Sequence, residues 1–95
     1  MAATLQQLIL EFESLWPLSG AEVWDAPGLI AGSSQDRISR VLLTVDVTSE
    51  VLEEAIDGGF DLVLAHHPFI MRGVTSVSSD TAKGSTLSRA IRSNV

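Results

Sequence analysis

The chain has 95 residues, a mass of 10.2 kDa, six basic against twelve acidic residues and no cysteine. A chain of this length buries roughly 60–65% of its unfolded surface, enough for one core but not for a core and a deep private active site. With 45% apolar and 19% charged residues and a mean hydropathy of +0.28, it is too hydrophobic to stay disordered. A net charge of −6 and a pI near 4.6 argue against a non-specific phosphate-backbone binder, so no nucleic-acid partner is expected. The absence of cysteine excludes disulfides, thiolate metal sites and cysteine nucleophiles.

Met1 is followed by Ala-Ala-Thr-Leu-Gln-Gln, with neither a basic leader nor a long apolar run. Apolar stretches of a few residues fall far short of the roughly 20 that cross a bilayer. The expectation is a cytoplasmic protein with no membrane partner. Charge is uneven: the stretch through Asp80 holds all twelve acids and three arginines, whereas Lys83, Arg89 and Arg92 follow with no acid. Three cations at helical spacing read first as a solvated helix side, and secondarily as a docking face.

Leu5, Leu8, Ile9, Phe12 and Leu15 or Trp16 recur every three or four residues, which predicts an amphipathic helix. Thr4 and Gln7 fit the capping box that satisfies free backbone N–H groups at a helix start. Pro17 ends the helix, because the residue before proline avoids the α region. Residues 18–36 read as loop, punctuated by Gly20, Pro27, Gly28, Gly32, Ser33 and Ser34, with Trp24 expected to tuck it onto the core.

Val41 to Val45 predicts a strand, apolar on both faces and therefore expected to be a parallel strand covered on each side. Asp46 ends it, and Thr48 is placed to cap a helix carrying Glu50 in its first turn and the stripe Val51, Leu52, Ala55 and Ile56. Gly58-Gly59 stops that helix. Asp61 to Ala65 predicts a second buried strand, completing a βαβ unit. Leu87, Ala90 and Ile91 then suggest a further helix after a Ser/Thr/Gly-rich loop. The expected class is α/β: an N-terminal helix, a βαβ unit of parallel strands and a further helix, in a single partial domain over residues 1–95.

One constellation carries chemistry. His66-His67, the only histidines, follow the second strand directly and precede Pro68. In open α/β sheets ligands bind at this carboxyl edge of the strands. Adjacent residues in extended backbone point to opposite sides, so the two imidazoles are expected to splay and to serve two ions more easily than one. Imidazole suits zinc, iron, manganese or nickel. Asp46 ends the neighbouring strand on the same edge, where it could orient an imidazole, ligate directly, or cap the next helix; spacing alone favours the cap.

Other constellations fail. Lys83-Gly84-Ser85 lacks the preceding strand and glycines of a phosphate-binding loop, Gly28-x-x-x-Gly32 is not a dinucleotide pattern, and no Gly-x-Ser-x-Gly elbow supports a serine nucleophile.

Taken together, Trp24-Asp25-x-x-Gly28-Leu29-x-x-Gly32, Val41-Leu42-Leu43-Thr44-Val45-Asp46-Val47-Thr48 and Ala65-His66-His67-Pro68-Phe69-Ile70 resemble the opening half of the NIF-three-like proteins, widely labelled GTP cyclohydrolase I type 2 homologues. Arg72-Gly73-Val74, Lys83-Gly84 and Ile91 extend the resemblance; Ala26 replaces the asparagine of many members. The resemblance implies a dinuclear site of divalent metal ions in which His66 and His67 bind one ion each. It places the other ligands, an aspartate and a His-x-x-x-Glu, outside this sequence, and so implies an amino-terminal fragment that holds metal weakly or not at all by itself. It also implies a homo-oligomer, a toroidal hexamer.

Three functions follow from the resemblance. The first is a metal-dependent hydrolase of nucleotides or phosphate esters in the full-length protein. The alternatives are a non-enzymatic metal-binding or regulatory scaffold, and an inactive truncated remnant.

Overall fold

The computed structural model describes residues 2–22, 25–70 and 73–95. Trp24 and Arg72, singled out above, lie outside the described residues.

The chain begins with a short strand, β1 (Ala3–Thr4), that runs directly into helix α1 (Leu5–Leu15). The capping box forms as its sequence implies: Thr4 Oγ1 accepts the Gln7 N–H at 3.2 Å, and Gln7 Oε1 accepts the Thr4 N–H at 2.9 Å. The helix ends at Leu15, two residues before Pro17, and a single 3₁₀ turn (Leu18–Gly20) follows. Local periodicity did not reveal β1 or its antiparallel partner β2 (Arg37–Ile38), in which Ala3 pairs with Ile38 and Thr4 with Arg37. Each strand is two residues long, too short for a period-2 pattern. The loop before β2 is tied to the start of α1 by the Leu5 N–H to Asp36 carbonyl bond at 2.7 Å and the Gln6 N–H to Ser34 carbonyl bond at 2.9 Å. Gly32, at φ 117°, makes the turn beside Leu5 that only glycine adopts without strain.

Strand β3 (Val41–Thr44), helix α2 (Ser49–Asp57) and strand β4 (Leu62–Ala65) form the expected βαβ unit. The strands pair in parallel, Val41 with Leu62 through Thr44 with Ala65. Thr48 caps α2, its Oγ1 accepting the Val51 N–H at 3.2 Å. At the other end, the Phe60 N–H reaches the Ala55 carbonyl and the Gly59 N–H the Ile56 carbonyl, the paired bonds of a Schellman stop, with Gly59 at φ 68°. Asp61 then locks the entry to both strands: its Oδ2 accepts the N–H groups of Ser39 at 2.8 Å and Arg40 at 3.1 Å.

Helix α3 (Ala82–Arg92), capped by Thr81, lies beside α2. The Arg89 guanidinium donates to the Glu53 carboxylate across that contact. One of the three cations of the basic tail is therefore taken up in packing between helices.

The core is small: Leu5 and Ile38 are buried where α1 meets the β1–β2 pair, and Leu52 and Ala55 are buried on α2. The expectation that β3 is covered on both faces is not met. Leu43 is 71% exposed and Val45 58% exposed. Parallel strands need a layer on each face to bury both sets of side chains. The β3–β4 sheet has two strands, and the elements packed against it leave the Leu43 face open. No helix among the described residues is long and apolar enough to cross a membrane.

Candidate metal centre

The sheet ladder continues past the end of β4. The His66 N–H donates to the Thr44 carbonyl at 3.0 Å and the His67 N–H to the Val45 carbonyl at 2.8 Å. Pro68 then ends the ladder, since it has no N–H to give. Because Thr44 stands opposite Ala65, carrying that register forward by two residues sets Asp46 opposite His67. Both strands therefore deliver their chemical groups to one rim, at their carboxyl ends.

At that rim, His67 Nδ1 and Asp46 Oδ1 are 2.6 Å apart. Asp46 does not cap α2, the role that spacing favoured for it; Thr48 does. The Asp46 carboxylate turns instead to the imidazole across the sheet, and the Thr44 hydroxyl donates to the Asp46 carbonyl at 2.9 Å to hold the strand end. A carboxylate can only accept, so Nδ1 is the donor of this contact, and in the neutral imidazole the lone pair lies on Nε2. That is the arrangement in which a histidine orients its second nitrogen toward a cation.

The two imidazoles do not splay to opposite sides as an extended backbone would place them. Their ring centroids are 5.0 Å apart with planes tilted by 42°. The backbone bends at His66 and His67, ahead of Pro68, and brings the rings side by side. Both side chains are exposed, and so is Asp46. Among the described residues no three histidine, aspartate or glutamate side chains converge as a complete cation site. Two imidazoles fit half of a four-ligand zinc site, and their donor chemistry suits borderline cations.

The register signal for the Asp46–His67 pair was present in the sequence only as two strand ends at matching positions. Knowing that the strands pair, and with what offset, was needed to use it.

A βαβ unit of parallel strands with the Asp46–His67 contact at its carboxyl rim defines an α/β protein. Residues 3–95 match the Duf34/NIF3 (NGG1p interacting factor 3) family, and the chain belongs to it. A Streptomyces coelicolor relative described as a GTP cyclohydrolase 1 type 2 homolog is 38% identical over 91 residues, covering 96% of this chain and 32% of the relative. The crystal structure of Staphylococcus aureus hypothetical protein SA1388 superposes with a TM-score of 0.92 at 33% identity, over 97% of this chain and 26% of that one. A Bacillus cereus protein related to NIF3 gives 0.92 at 32% identity, over 99% of this chain and 26% of that one. The chain thus spans between a quarter and a third of the length of these relatives.

Proposed function

We propose that His66 and His67 are ligands in a dinuclear divalent-metal centre, and that the full-length protein is a metal-dependent hydrolase acting on nucleotides or phosphate esters. The observation that carries this reading is the Asp46–His67 contact of 2.6 Å beside a second imidazole 5.0 Å away. A carboxylate that fixes the tautomer of an exposed histidine stabilises the fold little, because surface ion pairs contribute about 0–1 kcal/mol. It does prepare Nε2 for a cation. Side-by-side rings also suit two ions roughly 3.5–4 Å apart better than splayed ones.

Two divalent ions, when bound, lower the pKa of a bound water and neutralise charge developing on a phosphate oxygen. This chain's contribution is positional. Asp46 holds the His67 proton on Nδ1, the β3–β4 ladder fixes the height of both histidines on the rim, and Pro68 ends that ladder. The remaining ligands, and with them the assembly of any oligomer, come from beyond the described residues. The 95-residue chain is accordingly expected to bind zinc or manganese weakly.

Calorimetric titration with zinc and manganese, on this chain and on the longer Streptomyces relative, tests the proposal. Tight two-ion binding by the relative, lost when the histidine equivalent to His67 becomes alanine together with nucleotide turnover, supports the hydrolase. Retained metal without turnover of any nucleotide or phosphate ester favours a metal-binding scaffold. Unchanged metal affinity after substitution of both histidines overturns the site.

A further inference from the structure

Beside the histidine rim lies a cleft of about 430 Å³, within the size range of about 300–1,000 Å³ typical of small-ligand sites. It opens from the two segments that carry the rim: Val47 follows Asp46 directly, and Phe69 stands two residues beyond His67. Lys83 and Ser85 in the first turn of α3, with Thr86 just after it, border the other side of this open cleft, and Thr48 and Ser49 line it from the start of α2.

The composition of this lining is selective. The chain carries twelve acidic and six basic side chains. Among the described residues that line the cleft there is nevertheless one charge, the Lys83 ammonium, and no carboxylate. The positive pole is Lys83 rather than the amino end of α2, because Glu50 already lies in that helix's first turn. Lys83 is also held in place. Its Nζ donates to the Phe69 carbonyl and stands 4.4 Å from the centroid of the Phe69 ring. An ammonium has three N–H donors, so further donors remain for a ligand. Anchoring the long side chain in advance lowers the ordering cost of binding.

The Thr48 and Ser49 hydroxyls are taken up by the Glu50 carboxylate, which leaves a fixed cation and the Ser85 and Thr86 hydroxyls to suit a group with many acceptor oxygens and a double negative charge. We propose that this cleft binds the phosphate group of a phosphate monoester through Lys83, beside the centre where the ester would be hydrolysed. The catalytic meaning rests on the metal-centre reading above; the binding itself does not, since none of the cleft's groups is a metal ligand.

Titration of the ¹⁵N-labelled 95-residue chain with AMP, inorganic phosphate and adenosine, in buffer containing EDTA, tests this directly. AMP and phosphate should shift the amide signals of Phe69, Lys83 and Ser85 saturably, and adenosine should not. Lys83→Met should weaken AMP binding by about tenfold or more, the usual cost of losing a charged hydrogen-bond donor, and Lys83→Arg should retain it. Lys83→Gln serves as the second uncharged variant should Met disturb the packing on Phe69. Equal AMP affinity in Lys83→Met and Lys83→Gln, shifts centred away from the cleft, or no saturable response overturns the proposal. His67→Ala should leave AMP binding in EDTA intact. Loss of metal by the equivalent variant of the longer Streptomyces relative, with AMP binding retained in this chain, supports both sites, while failure of AMP binding here with metal uptake by the unsubstituted relative intact removes the cleft alone.

Discussion

Asp46 and His67 are 21 residues apart in sequence, yet their side chains meet at 2.6 Å because β3 and β4 run parallel and end level. The contact is exposed, at 56% for the His67 side chain and 63% for Asp46, so its value to the fold is small. Asp46→Ala should leave thermal stability within about 1 kcal/mol of the parent. On the proposed metal centre, the same change in the full-length protein should lower zinc affinity by about 10–100-fold, the usual effect of removing a carboxylate that orients a liganding histidine. Competition with a chromogenic chelator reads the affinity; an unchanged value would mean that His67 needs no orienting partner.

Burial predicts opposite outcomes for Leu43 and Leu52, nine residues apart on adjoining elements. Leu52 is 2% exposed at the centre of α2, and Leu52→Ala should destabilise the chain by about 2–5 kcal/mol. Small domains have only about 5–15 kcal/mol in total, so urea melting should show a large fall in midpoint. Leu43→Ala, on the open face of β3, should change stability by no more than about 0.5 kcal/mol and leave the midpoint nearly unmoved.

Gly84 sits inside α3, where alanine would ordinarily be favoured by about 1 kcal/mol. Here a Cβ would run into the carbonyl oxygen of Ser78 and approach the Val77 carbonyl carbon and oxygen at 2.6 Å. These are backbone atoms and cannot swing aside as a side chain would. Gly84→Ala should therefore destabilise by about 1–3 kcal/mol despite its propensity. A melting temperature equal to or above the parent's would show that the 77–78 segment yields.

Glu50 supplies the pH dependence. Its own backbone N–H, and then the hydroxyls of Thr48 and Ser49, hydrogen-bond the carboxylate and hold its pKa below the ordinary glutamate value. Because the folded pKa is depressed, the associated stability is fully present above the unfolded pKa and is lost as pH falls through the folded one. Stability curves of the parent and Glu50→Gln should therefore differ above the ordinary glutamate pKa and draw together on the acid side. Parallel curves down to acid pH would show that the bonds do not persist in solution.

The three helices were legible because their signals are local. Thr4 with Gln7, Thr48 and the Gly58-Gly59 pair act on backbone groups within a few residues of themselves, so a short window of sequence contains the whole interaction. The two parallel strands were legible for the same reason, as short apolar runs bounded by turns. What the sequence settled, then, was the identity and order of these elements and the presence of two histidines directly after a strand.

The tertiary structure decided everything that depends on pairing across distance. Ala3 meets Ile38 through two-residue strands that have no periodicity to read. Asp46 meets His67 only once a register is chosen, and a slip of one residue would have turned each side chain to the other face. The bend before Pro68 sets the imidazoles side by side where an ideal strand would have parted them. The exposure of Leu43 depends on which layers cover the sheet, and that is a property of the packed molecule rather than of any window along its chain.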